Sequence, residues 1–107
     1  MRTILKLLLA VLVFTLSFVT WSPAQDTGAD LFKARCAACH GADGKGETTM
    51  GKKMGLKDLG SADVQGKSDA DINGVITNGK DRMPPYKGKL TDDQINSLVK
   101  YIRTLKR

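Results

Sequence analysis

Cys36-Ala37-Ala38-Cys39-His40 holds both cysteines and the only histidine of the 107-residue chain, and its reading decides the fold. Residues three and four apart share one face of a helix, so Cys36, Cys39 and His40 can address a single ligand. The two thiols can add to the two vinyl groups of a porphyrin as thioethers, while the neighbouring imidazole reaches the iron from below the ring. This spacing is that of the covalent attachment site and first iron ligand of a c-type haem. Two other chemistries use paired cysteines. A thioredoxin-like redox pair belongs in a strand-and-helix context that this chain lacks. A zinc site takes about four ligands, usually as two separated pairs, and the sequence has no second pair.

The start of the chain reads as an address. Arg2 and Lys6 form a positive n-region, Leu7 to Val19 is apolar and uncharged, and Ser22-Pro23-Ala24 places small residues where a signal peptidase reads them. Residues 1–24 are therefore expected to be a signal peptide cleaved after Ala24, and residues 25–107 a single domain. The competing reading is a retained anchor, because Ile4 to Trp21 approaches spanning length if Lys6 snorkels. Cleavage leaves 83 residues, near the limit at which a chain is stabilised by its own core. A large apolar macrocycle tied to the chain relieves that shortage by becoming the centre of the core.

The formal charge of +6 falls to +4 once Arg2 and Lys6 leave with the leader. Basic and acidic residues are interspersed and aromatic residues are few, which excludes a nucleic-acid tail. The mild excess suits docking with acidic protein partners.

Thr27, with Asp30 three residues later, is a capping-box variant that opens a helix from about Gly28 to His40, with Leu31, Phe32, Cys36 and Cys39 near one face. From Gly41 to Gly66 seven glycines interrupt any long element, so this stretch is loop with at most short turns, one starting at Ser61. Ser68 and Asp71 repeat the capping pattern ahead of Ile72, Val75 and Ile76, which predicts a second helix over 68–78 ended by Asn78-Gly79. The last helix opens at Thr91 with Gln94 as its capping partner and carries Ile95, Leu98, Val99, Ile102 and Leu105 as its apolar stripe. No alternating strand pattern is present. The fold class is all-α, with about three main helices and long loops wrapped around one haem.

Since His40 is the only histidine, the second axial ligand must come from Met50, Met54, Met83, a lysine, the new amino terminus or water. Met83 is the choice made here, because it lies far along the chain and Pro84 and Pro85 stiffen the loop that carries it. Thioether ligation raises the reduction potential relative to harder ligand sets.

Taken together, these residues resemble a class I c-type cytochrome, the small monohaem kind exported by bacteria and related to photosynthetic soluble cytochromes. The resemblance covers residues 25–107. It rests on Gly28 and Phe32 ahead of the Cys36 to His40 motif, Gly41-Ala42-Asp43-Gly44 after it, Asn78-Gly79 before Met83-Pro84-Pro85, and Tyr101-Ile102 in the last helix. It implies that the first and last helices cross tightly at Gly28, beside Phe32 and Tyr101. It also implies that His40 and Met83 are the axial ligands of one haem c, held through Cys36 and Cys39.

The function this implies is one-electron transfer in the periplasm, by a monomer that is not an enzyme and has no stable membrane insertion after cleavage. Lys33, Lys45, Lys52, Lys53, Lys80, Lys87 and Lys89 are candidates for a docking rim. The other readings are a haem enzyme or small-ligand sensor with an open sixth site, and a tethered cytochrome subunit of a larger oxidoreductase.

Overall fold

Thr27 sits in extended backbone and its hydroxyl accepts the Asp30 N–H at 3.2 Å, satisfying one of the free donors at a helix start. The same hydroxyl donates to the Asp30 carboxylate at 2.9 Å, which is the variant of the capping box expected there. The helix that follows is α1, Gly28–Arg35, in a computed structural model that describes residues 1–7 and 27–107. Residues 2–7 are helical; the expected cleavage point and most of the apolar leader lie outside the described residues.

The single helix expected over 28–40 is two. Cys36 has φ −116° and ψ −33°, ends α1, and begins α2, Ala37–His40, with no side-chain cap between them. The ladder is interrupted there by one bond: the Cys36 N–H bonds the Phe32 carbonyl at 2.8 Å and the His40 N–H bonds the Cys36 carbonyl at 3.0 Å, but the Cys39 N–H turns to the Cys36 carbonyl at 3.2 Å.

The glycine-rich stretch also carries more structure than expected, with α3 at Thr49–Met54 and α4 at Ala62–Gln65. Ser61 caps α4, as the expected turn required, and Thr48 caps α3 by accepting the Gly51 N–H at 2.8 Å. The remaining helices match their expected spans: α5, Asp69–Asn78, is capped by Ser68, and α6, Asp92–Thr104, by a full Thr91/Gln94 capping box. Among the described residues the only β-type pairings are isolated bridges, Lys80 with Met83 and Lys87 with Leu90.

The core is where α1, α5 and α6 meet: Leu31 and Phe32 from α1, Ile72 and Ile76 from α5, and Ile95, Leu98, Val99 and Ile102 from α6, with Leu90 from the preceding loop. The α1–α6 crossing is as tight as the resemblance implied. A Cβ on Gly28 would lie 2.2 Å from the Ser97 carbonyl oxygen and 3.0 Å from the Tyr101 Cβ, so only glycine lets the backbones meet. Beside it the Phe32 and Tyr101 rings pack tilted, with centroids 5.1 Å apart.

The chain end is tied down by its arginines. Arg103, at the end of α6, donates to the Gln65 and Lys67 carbonyls and to the Asp69 carboxylate, and so staples the junction between α4 and α5. Arg107 reaches Asp58 and the Asp43 carbonyl and holds the loop that follows the motif.

Candidate functional site

Three bonds from the following loop fix the motif helix. The Gly41 N–H takes the Ala37 carbonyl at 2.8 Å, the Gly46 N–H takes the His40 carbonyl at 2.7 Å, and the Thr48 hydroxyl takes the Cys39 carbonyl at 2.5 Å. These carbonyls are free acceptors at a helix end, so the loop satisfies them and sets the angle at which α2 projects. Gly51 makes this approach possible, since a Cβ there would lie 2.7 Å from the Cys39 carbonyl oxygen and 2.3 Å from that of Gly46.

Cys36, Cys39 and His40 open onto a cavity of about 630 Å³, a size typical of cofactor sites. Met83 and Met54 line it as well, with Leu56, Val75, Pro84 and Tyr86. The expected first ligand, the two expected attachment points and the chosen second ligand thus share one space. Met54 shares it too, whereas Met50 is outside it and 50% exposed.

Both cysteines are free thiols. Burial, and after it the neighbouring Cys39, pushes the Cys36 thiol up to about 11, so it is protonated at neutral pH. Burial lowers the His40 pKa below the ordinary imidazole value, which favours the neutral ring that binds metal. The His40 ring lies 6.5 Å from that of Phe32, and its Nδ1 is buried with no hydrogen-bond partner among the described residues. An unpaired buried nitrogen is costly in a finished site. A largely apolar cavity, two thiols and an imidazole whose Nδ1 has no partner among the described residues together fit a haem.

Met83 comes from a turn rather than from an extended strand. The Met83 N–H bonds the Lys80 carbonyl at 2.9 Å and the Lys80 N–H bonds the Met83 carbonyl at 3.2 Å, around Asp81 at φ +53°. Aspartate is among the few residues that tolerate this left-handed conformation. Two further bonds fasten the loop to α5, from Tyr86 N–H to the Ile76 carbonyl and from Lys87 N–H to the Thr77 carbonyl, both 3.0 Å. The prolines account for only part of the stiffness expected of them.

Arg35, Lys53, Lys57, Lys80 and Arg82 stand at the cavity with one acid, Asp81. Of the lysines proposed as a rim, only Lys53 and Lys80 are among these; Lys33, Lys45, Lys52, Lys87 and Lys89 lie elsewhere. Arg35, Lys57 and Arg82 were missed, although Arg35 and Arg82 directly precede Cys36 and Met83 in sequence. Thr48 and Tyr86 were missed as well. The signal for Thr48 was its position four residues before a Lys-Lys-Met-Gly helix end; nothing local marked Tyr86.

A helical domain built around a CXXCH motif and a cofactor-sized apolar cavity defines a small class I c-type cytochrome. Residues 23–102 match the family described as cytochrome c oxidase, cbb3-type, subunit III, and the chain belongs to this family of cytochrome c domains. It is 37% identical to a cytochrome c6 of Nostoc sp., over 89% of this chain and 85% of that one. It is 39% identical to the cbb3-type cytochrome c oxidase subunit FixP of Azorhizobium caulinodans, over 78% of this chain but only 28% of that one. Among solved structures, the KustC0563 c-type cytochrome superposes with a TM-score of 0.71 at 33% identity, covering 77% of this chain and all of that one. The protein is accordingly an electron-transfer protein rather than an enzyme, carrying covalent haem c through the two cysteines of a CXXCH motif.

Proposed function

We propose that this chain is an exported one-electron carrier in which Cys36 and Cys39 hold the haem and His40 and Met83 are its axial ligands. The convergence of these four residues on one cavity carries the reading. The haem supplies one-electron exchange between ferric and ferrous iron. The protein's part is to hold its ligands still. Carbonyl bonds to Gly41, Gly46 and Thr48 fix the helix bearing His40, and the Lys80–Met83 pair and the bonds to α5 fix the loop bearing Met83. Walls so tied change little between oxidation states, which keeps the reorganisation opposing electron transfer small. Arg35, Lys53, Lys80 and Arg82 at the cavity draw acidic surfaces of redox partners toward it, while Lys57 is already paired with Asp63.

Residues 1–24 act as the export leader in this reading, and their cleavage delivers residues 25–107 to the periplasm as a monomer without stable membrane insertion.

Replacing Met83 with Ala tests the ligand set. The thioether-to-iron absorption band is expected to disappear and the reduction potential to fall. Met54→Ala is expected to keep the band, and reversal of the two results transfers the role to Met54. The mass of the same samples should correspond to residues 25–107 plus one haem; a mass that includes residues 1–24 would overturn the leader.

A further inference from the structure

We propose that Tyr86 is a positioning residue whose hydroxyl, anchored on the Arg35 carbonyl, latches the Met83 loop to the end of the helix that leads into Cys36. The proposal rests on the reading of Met83 as an axial ligand. Tyr86 is bonded through its whole length. Its N–H takes the Ile76 carbonyl, its own carbonyl accepts the N–H groups of Lys89 and Leu90 at 2.9 and 3.0 Å, and its hydroxyl donates to the Arg35 carbonyl at 3.0 Å across 51 residues of sequence. Its ring lines the cavity between these anchors.

The acceptor is available because of the bend at Cys36. In a continuous helix the Arg35 carbonyl would take the Cys39 N–H, but here that N–H turns to the Cys36 carbonyl at 3.2 Å. The Arg35 carbonyl is left as a helix-end acceptor, and Tyr86 fills it. Every other hydrogen bond of residues 79–90 among the described residues stays within that loop or returns to α5. The Tyr86 hydroxyl is thus the hydrogen bond by which the half of the site bearing Met83 holds the half bearing the motif. Phenylalanine would fill the same space and leave that tie unmade, so the hydroxyl has a role separable from the ring's packing.

Exogenous imidazole reads the latch, because it reaches the iron only when the Met83 loop opens, and its apparent affinity scales with the open fraction. In the ferric holoprotein, Tyr86→Phe should tighten imidazole binding about threefold to tenfold, the range one hydrogen bond supports, while keeping the thioether-to-iron band at rest. Ile72→Val serves as the control, because it loosens the core while leaving the Tyr86 hydroxyl and its partner in place, and should leave imidazole affinity within about twofold of the parent. If Tyr86→Phe also stays within twofold, or if both variants tighten binding alike, the latch is overturned. Amide exchange at Met83 and Tyr86 gives a readout that needs no added ligand, and both sites should exchange faster in Tyr86→Phe than in Ile72→Val. Persistence of the band in Met83→Ala would remove the ligand assignment alone. Amide exchange would then decide the latch, with equal rates in the two variants overturning it.

Discussion

A methyl group on Gly28 would have to occupy the space of the Ser97 carbonyl oxygen, and backbone cannot rotate out of the way as a side chain can. Gly28→Ala is therefore expected to lower stability by about 2–3 kcal/mol, the upper part of the range for overpacking. Chemical denaturation of the holoprotein measures it, and a loss below about 1 kcal/mol would mean that the α1–α6 crossing adjusts more easily than its geometry allows. At this scale the legible residues were those whose chemistry is local. Cys36, Cys39 and His40 declare themselves by type and spacing, and Met83 by the prolines beside it. The presence of Met54 in the same cavity was not legible, because it depends on where α3 packs. Tyr86 was hidden for the same reason, since its partner is 51 residues away.

Among the elements, the helices that could be read were those with a polar cap ahead of a periodic apolar face: Thr27, Ser68 and Thr91 each cap as their sequence context implies. Helix α3 escaped because Gly51 argues against a helix interior, and the glycine is kept for the approach of α2 rather than for helix stability. The break at Cys36 escaped because spacing reports which residues can share a face, and says nothing of a change in axis between turns. Thr48 couples the two elements. Its hydroxyl caps α3 through Gly51 and donates to the Cys39 carbonyl, so Thr48→Val removes a cap and a bond to the motif helix together. The expected cost is about 1–3 kcal/mol, read as a lower denaturation midpoint with unchanged slope; Thr49→Val, one residue on, provides the neutral comparison.

For the whole molecule, the distribution of charge matters more than its total of +6. Arg35, Lys53, Lys57, Lys80 and Arg82 all stand at the cavity, where electron exchange takes place in the proposed mechanism. Raising ionic strength from about 0.01 M to 0.1 M shortens the Debye length from about 30 to 10 Å. The second-order rate with an acidic redox partner should then fall severalfold, while the rate with a neutral small-molecule oxidant stays nearly constant. Equal salt dependence for the two would remove the rim from the docking reaction. This clustering was only partly legible, since lysine counts along a chain do not report which of them the fold gathers.

The meeting of Gly28 with Ser97 and Tyr101 also orders events in time. Helix α1 buries Leu31 and Phe32 in a core that α5 and α6 complete, and a chain emerging from its N-terminus does not meet Ser97 and Tyr101 until α6 arrives. Closing so long a loop is slow compared with forming a local turn. Cys36 and Cys39 are thus made early and enclosed late, which leaves an interval during synthesis when both thiols stand open on unfolded chain. The same crossing that finally seals the domain therefore sets how long its attachment motif remains within reach.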